Sequence, residues 1–232
     1  RAILVCLCLL SPLYGSLQLP DDSPRASKHL VPTPEDKIND QVTMGLMYDG
    51  LDGGPEDDGG SVEWHMGAAQ AGHPFSQYVI GCRYYNGSGL PQSDSEAVKW
   101  WRLAADQGLI FAQFNLGMSY WNGWGVERDP VKSVQWWLKA AEQGEAKPQY
   151  CLGMAYLYGE GVDQDYLKAY EWFFEASKRD HPNAMTRIGC LYMFGEGLSF
   201  EPEVALIWWK LAAVYADPEA LMYIGISYRN VI

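Results

Sequence analysis

The residues that could do chemistry are few and scattered. The histidines are His29, His65, His73 and His181, and the cysteines are Cys6, Cys8, Cys82, Cys151 and Cys190. No H-E-x-x-H or C-x-x-C spacing brings any of them together as metal ligands. No G-x-S-x-G, S-x-x-K or phosphate-binding loop supplies a nucleophile or a phosphate cradle. His73 and His181 each stand directly before a proline at an expected helix start, which favours a capping or turn role over ligation. The acidic stretch from Asp49 to Asp58 could suggest calcium. It lacks the alternating ligands and closing Glu of a calcium loop and reads as a solvated turn. The expectation is no catalytic residue, no cofactor and no metal. Asn86-Gly87-Ser88 is a glycosylation sequon on a turn, and Asn122 holds the equivalent place without one, so turn chemistry alone also explains Asn86.

Charge narrows the partners. Lys and Arg number 17 against 29 Asp and Glu, a formal net charge of -12. No basic cluster exists to neutralise phosphates, so nucleic acid is excluded as a partner. An acidic surface disfavours anionic membranes and suits proteins or peptides with neutral or basic patches. Residues 2–10 read AILVCLCLL after Arg1 and before Ser11, Pro12 and Gly15, the make-up of a secretory signal over residues 1–18. The run is too short to span a bilayer comfortably, so no integral span is expected beyond it. That places the chain outside the cell, in a periplasm or in the endoplasmic-reticulum lumen. It would be cytoplasmic if the segment is no signal. Cys6 and Cys8 would leave with the signal. The remaining odd number of cysteines forms no disulfide framework and reads as small buried residues.

The elements that must position any functional side chain come from a strict repeat. Gly recurs at Gly45, Gly81, Gly117, Gly153, Gly189 and Gly225, each step being 36 residues, and a Tyr follows three positions later every time. Trp recurs in the same register at Trp64, Trp100, Trp136, Trp172 and Trp208. Each unit reads as two helices. The first, clearest at Phe111 to Tyr120, lines up Ala112, Leu116, Gly117 and Tyr120 on one stripe. Paired loop glycines follow. The second helix opens at a cap such as Ser93, Asp129, Asp165 or, more weakly, Glu201, and stops at Gly72, Gly108 or Gly144. The glycine column is expected to let two helices approach closely, and the Trp column to be the buried wedge. Residues 19–40, with Pro20, Pro24, Pro32 and Pro34, read as an extended linker, and the array fills 41–232 with a degenerate first copy and a final half copy.

The run Ala112, Leu116, Gly117, Tyr120, Gly123, Gly125, Val126 and Asp129, then Trp136, Ala140, Ala141 and Gly144, resembles the Sel-1-like repeat (SLR) family, relatives of the tetratricopeptide repeats. The resemblance implies an all-α, right-handed α/α solenoid of helix–turn–helix repeats. It also implies an adaptor or scaffold that binds a protein or peptide partner, with members among bacterial secreted proteins and in endoplasmic-reticulum quality control. Cysteine-rich relatives act on or bind β-lactams, but their regular cysteine pairs are missing here. A secreted β-lactam or cell-wall hydrolase is therefore the alternative reading, and a quality-control subunit is a special case of the scaffold. By the same resemblance the first helices line a concave face, with inward positions that include Tyr78, Tyr85, Phe114, Met118, Trp121, Tyr150, Met154, Tyr158, Met193 and Phe194. That lane is aromatic and Met-rich, suited to an apolar or helical segment. The competing reading is that the Tyr78, Phe114 and Tyr150 column packs between units.

Overall fold

The computed structural model of the chain describes residues 34–48 and 58–229. Every regular element among them is an α-helix: α1 (Pro34–Tyr48), α2 (Asp58–Gln70), α3 (Pro74–Asn86), α4 (Asp94–Asp106), α5 (Ile110–Asn122), α6 (Pro130–Glu142), α7 (Ala146–Tyr158), α8 (Tyr166–Ser177), α9 (Pro182–Phe194), α10 (Pro202–Val214) and α11 (Pro218–Arg229). The expected signal, residues 1–18, lies outside the described residues, as does the acidic loop over 49–57. The expected linker needs one correction. Residues 34–40 are helical and open α1. Pro34 stands at the first helical position, where a missing N–H costs nothing, so counting prolines over 19–40 could not separate a helix start from an extended run.

The helix ends follow from side-chain chemistry. Ser93 accepts the Glu96 amide at 3.3 Å, Asp129 that of Lys132 at 3.0 Å, and Asp165 that of Lys168 at 3.0 Å. Glu201 makes no such bond, and there Pro202 alone presets the first turn. His73 Nδ1 accepts the Ser76 amide at 3.2 Å and His181 Nδ1 that of Ala184 at 3.3 Å, so both histidines are caps. Past the second helices, Gly72, Gly108 and Gly144 adopt φ of 98, 91 and 94°. The same column holds Asp180 at φ 57° and Ala216 at φ 58°, where a Cβ is strained.

The chain divides into two compact units, one of residues up to 115 with 124–126, the other of 116–123 with 127 onward. In the first, α1 packs on α2, α2 on α3 and α3 on α4. Gly81 of α3 lies against the Trp101 ring of α4, and a Cβ added there would sit 2.4 Å from Cδ1. Buried Gln77 donates from Nε2 to the Ala69 carbonyl at 3.2 Å, and buried Gln113 does the same to Ala105 at 3.2 Å. Those carbonyls belong to the last turns of α2 and α4, where they already accept the Gly72 and Gly108 amides at 3.0 Å, so each glutamine adds a second hydrogen bond. One buried amide thus ties a helix end to the following helix. Gly125 fits where a Cβ would meet the Asp94 carbonyl at 2.2 Å, so the second loop glycine also seats one repeat on the previous one.

The second unit repeats these joints. Helices pack in sequence from α6 to α11. Gly117 lies on Trp137, Gly153 on Phe173 and Gly189 on Trp209, with would-be Cβ contacts of 2.4, 2.5 and 2.4 Å. Gln149 donates to Ala141 O at 3.3 Å, and Met185 takes over that column as an apolar residue. Gly161 meets Pro130 O as Gly125 meets Asp94.

The wedge is therefore not the column at Trp100, Trp136, Trp172 and Trp208, which is only partly buried. It is the next residue along: Trp101, Trp137, Phe173 and Trp209, between 0 and 2% exposed. Neighbouring residues on a helix point about 100° apart, so only one aromatic of each pair can face the glycine column. The other lies toward the rim, where Trp136 takes the Lys139 ammonium over its ring at 4.0 Å. Burying each wedge contributes roughly 4–6 kcal/mol gross at about 25 cal/mol per Å².

Candidate protein-binding lane

The first helix of each repeat carries the residues singled out for binding, and the structure sorts them into two groups. Tyr78 is 1% exposed, packed against Phe75 and Phe111 with ring centroids at 6.4 and 6.0 Å. It belongs to the core and offers no surface to a partner. Tyr85 is partly buried between Trp101 and Trp124, at 5.5 and 5.8 Å. Trp121 rests on Trp137 at 5.0 Å, and the Arg128 guanidinium lies over its ring at 5.8 Å. Leu157 of the same column is in the core. This column covers the buried wedge, so its aromatic character has a packing cause.

Tyr150 stacks on His181 at 4.8 Å with 19° between planes and touches the Phe173 ring at 5.7 Å. Phe114, Met118, Met154 and Met193 are partly buried. The lane's exposed apolar surface in the second unit comes from the last of the expected inward columns. Tyr158 is 60% and Phe194 62% exposed, at the last positions of α7 and α9. Met154 precedes Tyr158 by one turn and Met193 directly precedes Phe194. Asn86 and Asn122 hold that column in α3 and α5, and both are exposed. The Asn122 amide donates to Met118 O at 2.9 Å.

Polar groups beside the lane are paired with one another. Arg187 bonds Glu219 through both carboxylate oxygens at 2.6 and 2.8 Å, and Tyr223 reaches the same carboxylate at 3.5 Å. Buried Thr186 donates to buried Asp217. Spacing gave no sign of the Arg187–Glu219 pair. The two residues are 32 apart and meet only because the repeat brings α9 and α11 side by side.

Two of the thiols are held in the protonated form. Burial pushes the Cys151 thiol up to about 12, and burial also raises that of Cys190. Burial and the Lys147 ammonium lower the pKa of His181, whose Nδ1 is already engaged as a cap. Among the described residues no group of His, Cys, Asp and Glu could hold a metal ion, and no helix is long and apolar enough to cross a membrane.

Comparison with known proteins agrees with this architecture. The family model for the Sel1 repeat matches residues 74–109, 110–145, 149–181 and 182–213. A protective antigen present in uropathogenic Escherichia coli strains and displaying an SLR fold is similar at 33% identity with a TM-score of 0.80, covering 84% of this chain and 42% of that one. A Sel1 repeat protein from Oxalobacter formigenes is similar at 32% identity and a TM-score of 0.71, covering 81% of this chain and 54% of that one. The chain thus spans about half or less of the length of these two. No curated protein matches it.

Proposed function

Because this chain belongs to the Sel1 repeat family, we propose that it is a scaffold holding a protein or peptide segment along the first-helix lane of its second unit. Sel1 repeat proteins generally act as protein-interaction scaffolds. The supporting observation is the pair Tyr158 and Phe194, large apolar side chains exposed at equivalent positions of α7 and α9. Core packing does not require them, since the same column holds Asn86 and Asn122 in α3 and α5. Exposed aromatics beside adaptable methionines suit an apolar or helical segment. Glu196, in the loop after α9, favours a basic edge on it, whereas Glu160 is taken up by Arg128 at 3.1 Å. The hydrolase reading draws no support from Cys151 and Cys190, whose thiols burial keeps protonated.

Capture from secreted or lumenal fractions with the full chain tests the proposal, set beside a Tyr158→Ala/Phe194→Ala double variant. A specific partner kept by the parent and lost by the variant, at unchanged helicity and melting temperature, supports the lane. Equal retention by both would overturn it. Turnover of nitrocefin by the parent would move the assignment to the hydrolase.

A further inference from the structure

The outer face of α10 breaks the pattern of its own repeat. Ile207, Leu211 and Val214 are 64, 43 and 77% exposed and lie at i, i+4 and i+7, one stripe of the helix. The Ile207 column holds Lys99, Gln135 and Glu171 in α4, α6 and α8, all exposed. The Val214 column holds Asp106, Glu142 and Lys178, also exposed. In the α8 copy, helices of the same unit pack on both sides, yet Glu171 and Lys178 still face solvent. Stacking against neighbouring repeats therefore never covers them, and a further repeat would not cover Ile207 or Val214 either. Water is the ordinary environment of this face, and only α10 has made it apolar.

The charges beside the stripe indicate what covers it. Glu203 and Lys210 are the only charged residues of α10, in a chain whose net charge is -12. Both flank the stripe on the same side, at about 40° and 60° from Ile207 at 3.6 residues per turn. They sit nearly symmetrically about Ile207, four positions before and three after. Neither has an ion-pair partner among the described residues, and the Lys210 ammonium lies over the Tyr228 ring at 5.9 Å. When two copies of one helix pair antiparallel about a two-fold axis through Ile207, the like flanks face each other. Glu203 then meets the partner's Lys210, and Lys210 meets the partner's Glu203.

We infer that α10 is a self-association surface, pairing antiparallel with α10 of a second copy of this chain. The interface is isologous, the commonest kind in homodimers. One helical stripe buries little area, at the small end of specific interfaces below about 1,200 Å² in total. The association is accordingly weak and reversible, with a dissociation constant on the order of 10 μM.

Sedimentation velocity of the full chain across about 1 to 100 μM, bracketing that constant, tests the inference. The parent chain is expected to pass from monomer to dimer over this range. Ile207→Glu, at an exposed position where the fold tolerates Lys, Gln and Glu in other repeats, is expected to weaken the dimer at least about tenfold with helicity unchanged. Glu203→Lys sets like charges face to face and should weaken it as well. The double variant Glu203→Lys/Lys210→Glu should restore it, because both cross pairs reform with signs exchanged. A parent chain that stays monomeric throughout overturns the inference. So does a dimer indifferent to Ile207→Glu, or a double variant no better than Glu203→Lys alone.

Discussion

At the scale of single residues, the joint between glycine and aromatic governs stability. A methyl group at position 153 would lie 2.5 Å from the Phe173 ring, which is itself fully buried and cannot withdraw. Gly153→Ala is expected to destabilise by about 1–3 kcal/mol through overpacking, read from the urea midpoint. Gly225 occupies the same column with nothing within 4 Å of its would-be Cβ. Gly225→Ala should be neutral or stabilise by up to about 1 kcal/mol through helix propensity. Ala216→Gly should stabilise by about 1 kcal/mol by relieving a left-handed alanine. His181 makes stability depend on pH. Its folded pKa lies below the ordinary 6.5, so between the two values the unfolded chain binds more protons. Stability should therefore fall as pH drops through about 6.5 and level off below the folded value. Burial and His65 lower His73 in the same direction. His181→Asn keeps a capping acceptor without the titration, and it should flatten the dependence of the urea midpoint on pH.

At the scale of elements, adjacent aromatics on the second helices have unequal work. Trp101→Ala removes a wedge that is 2% exposed and should cost about 3–5 kcal/mol. Trp100→Ala removes a partly buried rim residue and should cost clearly less. Equilibrium unfolding of the two variants side by side measures the difference. The repeat, the helix pairs, the caps and the close approach at the glycine column were all legible in the sequence, because each is written in residue types at fixed spacing. Which of two neighbouring tryptophans turns inward was not, since both columns are aromatic and periodicity alone does not fix the rotation of a helix about its axis. Gln77, Gln113 and Gln149 were equally hidden. A glutamine reads as surface until the carbonyl of the preceding helix that it bonds is seen. Exposure along the first helices was legible in part: Tyr158 and Phe194 are exposed as inward positions should be, but Tyr78 is buried.

At the scale of the whole molecule, stability in such an array is a sum of repeats and their nearest neighbours. A lesion such as Gly153→Ala should raise amide hydrogen exchange most in α7 and α8, whose packing it disturbs, and less with each repeat further away. A uniform rise across α2 to α11 would show instead that the chain opens as one cooperative body. The joints described above have one more consequence. The seating glycine and the glycine–aromatic contact recur at intervals of 36 residues, with the glutamine beside them in three copies and Met185 in the fourth, so a 36-residue segment carries half of the joint before it and half of the joint after it. Duplicating or deleting a coding segment of that length leaves matched halves at both borders, whichever point in the repeat is cut. Such a chain can change length by recombination without passing through a form that cannot fold. What travels with each copy is its outer face. A lineage that duplicates the repeat bearing Ile207, Leu211 and Val214 gains a second sticky surface, while one that duplicates its neighbour gains only reach.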